Sequence, residues 1–180
     1  VVGDIPPAAA VLSERLGAPL VWMGNFGWDD IYEPLGGRFS EYAAEARAQY
    51  RQGELLLRCP FSMAMPWGLD EQPLGLTVSA LRELPAPLQE HLDTIQQPLV
   101  LVGFGGLGLA IDPALFRLWP HHHFLMPAPV APHLRANLKY EANVTLLPES
   151  VRPFDVMPFC ERHLGKPGYS TFCEALSQDL

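Results

Sequence analysis

Short apolar runs alternate with helical stripes along this chain. Val1-Val2-Gly3-Asp4 reads as the end of a buried strand, and after Pro6-Pro7 the residues Ala8, Val11, Leu12 and Leu16 recur at helical spacing, which predicts a helix that buries that face. Gly17-Ala18-Pro19 stops it, and Leu20-Val21-Trp22-Met23 forms the next apolar run, ending in the turn-rich stretch 24–30. A strand, a helix and a strand in that order imply a parallel sheet with a right-handed crossover. In open parallel sheets ligands sit beyond the carboxyl ends of the strands, so Asp4 and the 25–30 loop are expected at one mouth.

The spacing over Phe39–Tyr50 gives a helix with Phe39, Tyr42, Ala43, Ala46 and Tyr50 on one face and Glu41, Glu45, Arg47 and Arg51 on the other. Residues 54–59 read as a third strand. Residues 60–73 carry three prolines and no clear period, as an ordered connector would. Leu84-Pro85-Ala86-Pro87 reads as a hinge before a short helix over 88–95, which divides the chain into residues 1–84 and 85–180.

A second series opens with Pro98-Leu99-Val100-Leu101-Val102, a buried strand, followed at once by Gly103-Phe104-Gly105-Gly106-Leu107-Gly108. The glycines match G-x-G-x-x-G. A dinucleotide fold would then place a carboxylate about twenty residues on, where this chain has Phe124-Leu125-Met126-Pro127, so the loop is read as a close approach for another ligand. His121-His122-His123 alternates faces if extended, with no Asp, Glu or Cys nearby to complete a ligand set. It reads as the polar start of a strand rather than a metal site. Asn143-Val144-Thr145-Leu146-Leu147 is a further strand, and 154–160 a helical turn or two, kept short by Pro158.

The last stretch bears the most chemistry. Leu164-Gly165-Lys166-Pro167-Gly168-Tyr169-Ser170-Thr171 reads as a Gly-rich loop opening a helix in which Thr171 caps, Glu174 stands three residues on, and Phe172, Ala175 and Leu176 are apolar. Exposed amides at such a start, backed by the helix dipole, are suited to a phosphate group. A plain capping box from Thr171 to Glu174 would give the same spacing. Likewise Asp4, Asp29 and Asp30 suit hydroxyl binding or base catalysis and Trp28 suits stacking on a sugar. The plainer reading from the residues alone, and the one they favour, has Asp4 capping the Pro6 helix, Trp28 in the core and Asp29 and Asp30 as solvated turn residues.

Composition narrows the partners. With 48% hydrophobic and 18% charged residues the chain is globular, and a net charge of −8 without a Lys/Arg cluster argues against nucleic acid or an anionic membrane. Three cysteines, Cys59, Cys160 and Cys173, lack C-x-x-C spacing and suit reduced core thiols in a cytoplasmic protein. No apolar run is long enough for a membrane span. The missing initiator Met and the apolar start lead us to expect a fragment.

Taken together, the strand and Gly105-Gly106 loop, the Leu147-Pro148 loop and the ending Gly-x-Ser/Thr-x-x-x-Glu-Ala-Leu resemble the carboxyl-terminal domain of GT-B nucleotide-sugar glycosyltransferases, which include the peptidoglycan N-acetylglucosaminyltransferase and macrolide glycosyltransferases. Val2-x-Asp4, Asn25-Phe26-x-Trp28-Asp29-x-Ile31-Tyr32 and Leu164-Gly165-Lys166-x-Gly168-Tyr169-x-Thr171 are similar to the glycosyltransferase-like region of L-arabinokinase and related bacterial proteins. The resemblance implies an α/β chain of two Rossmann-like parallel-sheet halves, both incomplete, with acceptor-side residues first, donor-side residues second and a cleft between them.

The same resemblance implies the roles. Gly168, Tyr169, Ser170 and Thr171 would present amides and hydroxyls to the donor diphosphate. Glu174 would take the ribose, and Leu147 and Pro148 would line the base. Gly105 and Gly106 would admit the diphosphate and sugar, and Lys166 would offset leaving-group charge. Asp4 or Asp29 would deprotonate the acceptor, positioned by Asn25 and Trp28. Neither a metal nor a separate cofactor is implied, and no D-x-D motif is present; the donor is a nucleoside-diphosphate sugar, the acceptor unspecified. The upstream His-containing Gly motif usual in the acceptor domain is absent from this sequence, and Pro167 and Ser170 depart from the commoner residues. A catalytically silent nucleotide- or sugar-binding module fused to another domain is the alternative, and a ligand-free structural domain a third.

Overall fold

In the computed structural model, residues 1–104, 111–128 and 132–180 are described. The chain divides into two compact units, Val1–Thr77 and Val78–Leu180. Each unit holds a four-stranded, all-parallel sheet.

The first unit runs β1 (Val2–Gly3), α1 (Ala8–Leu16), β2 (Val21–Gly24), α2 (Trp28–Tyr32), α3 (Phe39–Tyr50), β3 (Leu55–Arg58) and β4 (Asp70–Pro73), in the sheet order β1-β2-β3-β4. The expected α3 boundaries are those observed. Of its expected apolar face, Ala43, Ala46 and Tyr50 are buried, while Tyr42 stays 49% exposed.

The expectation for α1 is overturned. Ala10 and Ser13 face the interior, and Val11, Leu12 and Leu16 point outward. Close packing is the reason: a Cβ on Gly3 would stand 2.6 Å from the Trp22 ring and 3.0 Å from Ala9 Cβ, so small residues are what this side of the helix presents to the strands.

No helix links β3 to β4. The proline-rich connector supplies core side chains in its place, with Met65 and Trp67 buried and the Trp67 ring stacked 4.0 Å from that of Tyr50. Trp22 completes the group, its indole N–H donating to the Tyr50 carbonyl at 2.8 Å and its ring meeting Tyr50 edge-on at 5.0 Å. β4 is an exposed edge strand ending in Pro73, where the missing N–H costs no internal ladder bond.

The second unit contains α4 (Ala86–Thr94), β5 (Leu99–Gly103), a 3-10 turn (Pro113–Leu118), β6 (His123–Met126), α5 (Pro132–Leu138), β7 (Val144–Leu146), α6 (Pro153–Val156), β8 (Arg162–Gly165) and α7 (Tyr169–Leu176). Its sheet order is β7-β6-β5-β8. Alternate residues of β5 serve the two faces. Leu99 and Leu101 pack in a cluster with Leu88, Leu125, Phe154 and Ala175, and Val100 and Val102 in another with Phe116, Phe124, Leu134 and Leu138. Segment 78–84 belongs to this unit. The Arg82 N–H donates to Asp155 Oδ1 at 2.9 Å, and the Arg152 guanidinium holds Ser79 Oγ and the Ala80 carbonyl.

Arg162-His163-Leu164-Gly165, half of it read as loop from sequence, is strand β8. It pairs in parallel with β5, Gly103 opposite Gly165. Its positions alternate between exposed and half-buried and none is fully buried, so backbone pairing rather than burial defines it.

Candidate functional site

The order β7-β6-β5-β8 reverses direction at β5: the chain steps outward through β6 and β7, then returns to lay β8 on the other side of β5. Such a switch point opens a crevice at the carboxyl ends of the two strands, where ligands bind in parallel α/β sheets. The strand ends that meet there are Gly103 and Gly165. A Cβ on Gly165 would lie 2.3 Å from the Gly103 carbonyl oxygen and 2.7 Å from the His163 ring, so only glycine fits.

Beyond Gly165 the chain crosses Lys166 and Pro167 into α7. Gly168 is its N-cap, and the first helical bond runs from the Phe172 N–H to the Gly168 carbonyl at 2.9 Å. Thr171 therefore lies in the first turn and forms no cap, contrary to the expected capping box. Ser170 and Thr171 direct their N–H groups ahead of the intrahelical ladder, at the positive end of the helix dipole. Lys166, Thr171, Phe172, His163 and Leu180 line a pocket of about 260 Å³ beside this turn. Cys173 and Ala175 anchor the opposite side of α7 in the interior.

Glu174 is half-buried. Burial raises its carboxyl above the ordinary carboxylate range, with the Arg152 charge acting the other way and Asp155 adding to the rise. Arg152 itself is committed to Asp155, with Nε at 2.9 Å from Oδ2 and Nη2 at 2.5 Å from Oδ1, which holds the Asp155 carboxyl below its usual value.

The structure separates the remaining donor-side candidates. Pro148 is exposed in the loop after β7. Leu147, expected at the base, is instead 2% exposed within the core and donates its N–H to the Met126 carbonyl at 2.9 Å. Gly105 and Gly106 lie outside the described residues. His163 and Arg152 escaped the sequence reading. Only the parallel pairing of β8 with β5 brings His163 to the crevice, and desolvation holds its imidazole pKa below the usual value.

On the first unit the carboxyl ends of β1 and β2 carry Asp4 and the 25–30 loop. Asp4 is exposed. Asp29, the other expected base, is fully buried. Trp67 Nε1 donates to both of its oxygens at 3.2 Å, and Arg47 Nε to Oδ2 at 3.1 Å. A carboxylate so enclosed has no open path to an acceptor hydroxyl, and it anchors the loop.

Asp30 supports the same turn, accepting from the Gly27 and Met65 N–H groups at 3.3 Å. Tyr50 accepts from the Trp28 N–H at 3.1 Å and donates its hydroxyl to the Ile5 carbonyl at 2.7 Å; burial pushes its pKa up to about 12. Asn25 takes part through its backbone carbonyl, which accepts from Met63 N–H at 2.8 Å. Trp28 is 37% exposed, edge-on to Phe26 and stacked on Tyr32.

The thiols offer no nucleophile in the open. Cys59 and Cys173 are buried, and burial pushes the Cys160 thiol up to about 12. Among the described residues no three His, Cys, Asp or Glu side chains gather as a metal would require, and no helix is long and apolar enough to cross a membrane.

Known structures share this arrangement of sheets. The chain is similar to Phytolacca americana UGT2 complexed with UDP-2fluoro-glucose and pterostilbene, with a TM-score of 0.67 at 11% identity, over 99% of this chain and 54% of that one. The fold is GT-B. A UDP-glucosyltransferase from Polygonum tinctorium capable of glucosylating indoxyl is similar at a TM-score of 0.67 and 14% identity, over 97% of this chain and 54% of that one. Arabidopsis thaliana UGT89C1, complexed with UDP-L-rhamnose, gives 0.65 and 10%, over 97% of this chain and 49% of that one. The chain thus spans about half the length of these GT-B enzymes. No protein-family model and no curated protein matches it.

Proposed function

We propose that this chain is part of a glycosyltransferase that moves a sugar from a nucleoside-diphosphate donor to an acceptor hydroxyl, the second unit holding the donor and the first the acceptor. The observation that carries the reading is the switch point, where glycine ends of β5 and β8 feed the α7 amino terminus with Glu174 one turn inward. Titration of the full chain with UDP, ADP and GDP by calorimetry tests it. Saturable binding of one nucleotide, weakened by Glu174→Ala, is expected, and no heat with any of the three would overturn it.

In this reading the acceptor oxygen attacks the anomeric carbon as Asp4 takes its proton, and the anomeric C–O bond breaks toward the diphosphate. The leaving group's charge meets the α7 dipole, the amides of Ser170 and Thr171, and Lys166. Glu174 accepts from the ribose hydroxyls. Gly168 and Tyr169 shape the turn, and Pro148, Gly105 and Gly106 complete the donor contacts. Asn25 and Trp28 position the acceptor. UDP is the favoured donor nucleotide, because the similar enzymes of known structure are complexed with UDP sugars.

A second reading is favoured by the burial of Asp29, which leaves Asp4 as the one exposed base among the two expected. The chain would then be a silent nucleotide-sugar-binding module, akin to the glycosyltransferase-like region of L-arabinokinase, in a bacterial cytoplasmic protein. It would bind the nucleotide with equal affinity and show no transfer or donor hydrolysis.

A further inference from the structure

Trp28, Tyr32 and Tyr42 border a groove of about 350 Å³ on the first unit, with Pro7 at one end and Glu45 and Gln49 on its α3 side. The volume falls in the range of small-molecule sites, roughly 300–1,000 Å³. Its rings form one connected wall: Trp28 stacks on Tyr32 at 5.4 Å, and Tyr32 meets Tyr42 at 6.2 Å. Trp28 and Tyr42 nevertheless keep 37% and 49% of their surface in solvent.

The polar groups of α3 divide by direction. Arg47 and Tyr50 turn inward and are fully engaged, with Asp29 and Glu33 and with Ile5 and Trp28. Around the groove, the Glu45 carboxylate, the Gln49 amide, the hydroxyls of Tyr32 and Tyr42 and the Trp28 indole N–H hydrogen-bond to no other described residue. Aromatic faces thus stand beside donors and acceptors that the fold does not use.

A purely aromatic ligand would cover the rings but strip water from Glu45 and Gln49 without replacing their bonds, at a cost of about 1–3 kcal/mol per group. An anion would meet the Glu45 charge. A pyranose ring satisfies both halves, its C–H face on the aromatic wall and its hydroxyls on the carboxylate and amide. We propose that the groove binds a neutral carbohydrate ring, which makes the acceptor a glycan. Pro7 lies in the same β1–α1 connection as the exposed Asp4. The assignment as acceptor rests on the transferase reading; the recognition of a sugar does not.

The test probes the full chain on a printed array of neutral mono- and oligosaccharides, and by tryptophan fluorescence with pterostilbene as an aromatic probe. Binding to at least one glycan is expected, weakened about tenfold or more by E45A/Q49A, surface changes that leave the melting temperature in place, and reduced by Y42F, which keeps the ring. No bound glycan, glycan binding indifferent to E45A/Q49A, or pterostilbene bound in preference to every glycan overturns the proposal. A UDP titration on the same preparation separates the two readings. UDP bound without glycan overturns the groove alone, and glycan bound without UDP overturns the donor reading alone.

Discussion

The carbonyl oxygen of Gly103 occupies the space beside Gly165 so closely that a side-chain carbon on the latter would stand 2.3 Å from it. These two residues end β5 and β8 in register, and the connection into α7 starts from Gly165. Gly165→Ala must push the strands apart, because a backbone carbonyl cannot swing away. It is expected to cost about 1–3 kcal/mol of stability in the second unit and to loosen nucleotide binding as well. Thermal melts with and without UDP check both.

Asp4 and Asp29 should part company on mutation. Asp29→Ala leaves the buried Trp67 indole without its acceptor and removes one of the two carboxylates that hold Arg47, and a loss of about 1–3 kcal/mol is expected, read by urea denaturation. Asp4→Asn should leave that transition unchanged and abolish transfer. Equal loss of stability in the two variants would refute the division of roles.

Tyr50 predicts an alkaline limit. Its folded pKa stands near 12 against an ordinary value of 10.0, so the native state holds the proton that the unfolded chain gives up first. The stabilisation is complete below pH 10 and falls as pH rises from about 10 toward 12. Tyr50→Phe should abolish this fall and cost about 1–3 kcal/mol at neutral pH, since the Ile5 carbonyl loses its donor. Denaturation midpoints across pH 8–12 in the two proteins are the measurement.

Glu174 predicts an acid limit for the donor. Ribose hydroxyls need its charged form, and burial raises its pKa, so nucleotide affinity should fall as pH drops through a range above that of an ordinary carboxylate. Calorimetry from pH 4 to 8 should show this fall in the native chain and a flat profile in Glu174→Gln. A native profile equally flat would remove Glu174 from the nucleotide site.

Lys166 is exposed in the β8–α7 loop, so Lys166→Ala should not alter folding. Its effect is expected on turnover rather than on ground-state binding, because leaving-group charge develops only as the bond breaks. Steady-state kinetics with a UDP sugar should show kcat reduced more than KM is raised.

Much of this was legible in the residues. Apolar runs at 20–23 and 99–102 gave β2 and β5, a 3.6-residue stripe gave both ends of α3, and the strand–helix alternation gave parallel sheets in two series. Those signals come from side chains that must leave water, and a period records which ones. β4 and β8 have no such signal. They are held by backbone hydrogen bonds to a neighbour whose position is not local information, which is why Leu164 and Gly165 read as loop.

The order of residues by itself determined the element types, the glycine-rich turns and the stock of candidate groups. Tertiary structure alone decided which of them meet. It drew Asp29 under Trp67 and Arg47, put Leu147 into the core, made Gly168 rather than Thr171 the helix cap, and brought His163 and Arg152 beside the donor-side loops. Burial and pairing are set by contacts between segments far apart in the chain, so a carboxylate that reads the same in sequence becomes an anchor in one place and an exposed side chain in another.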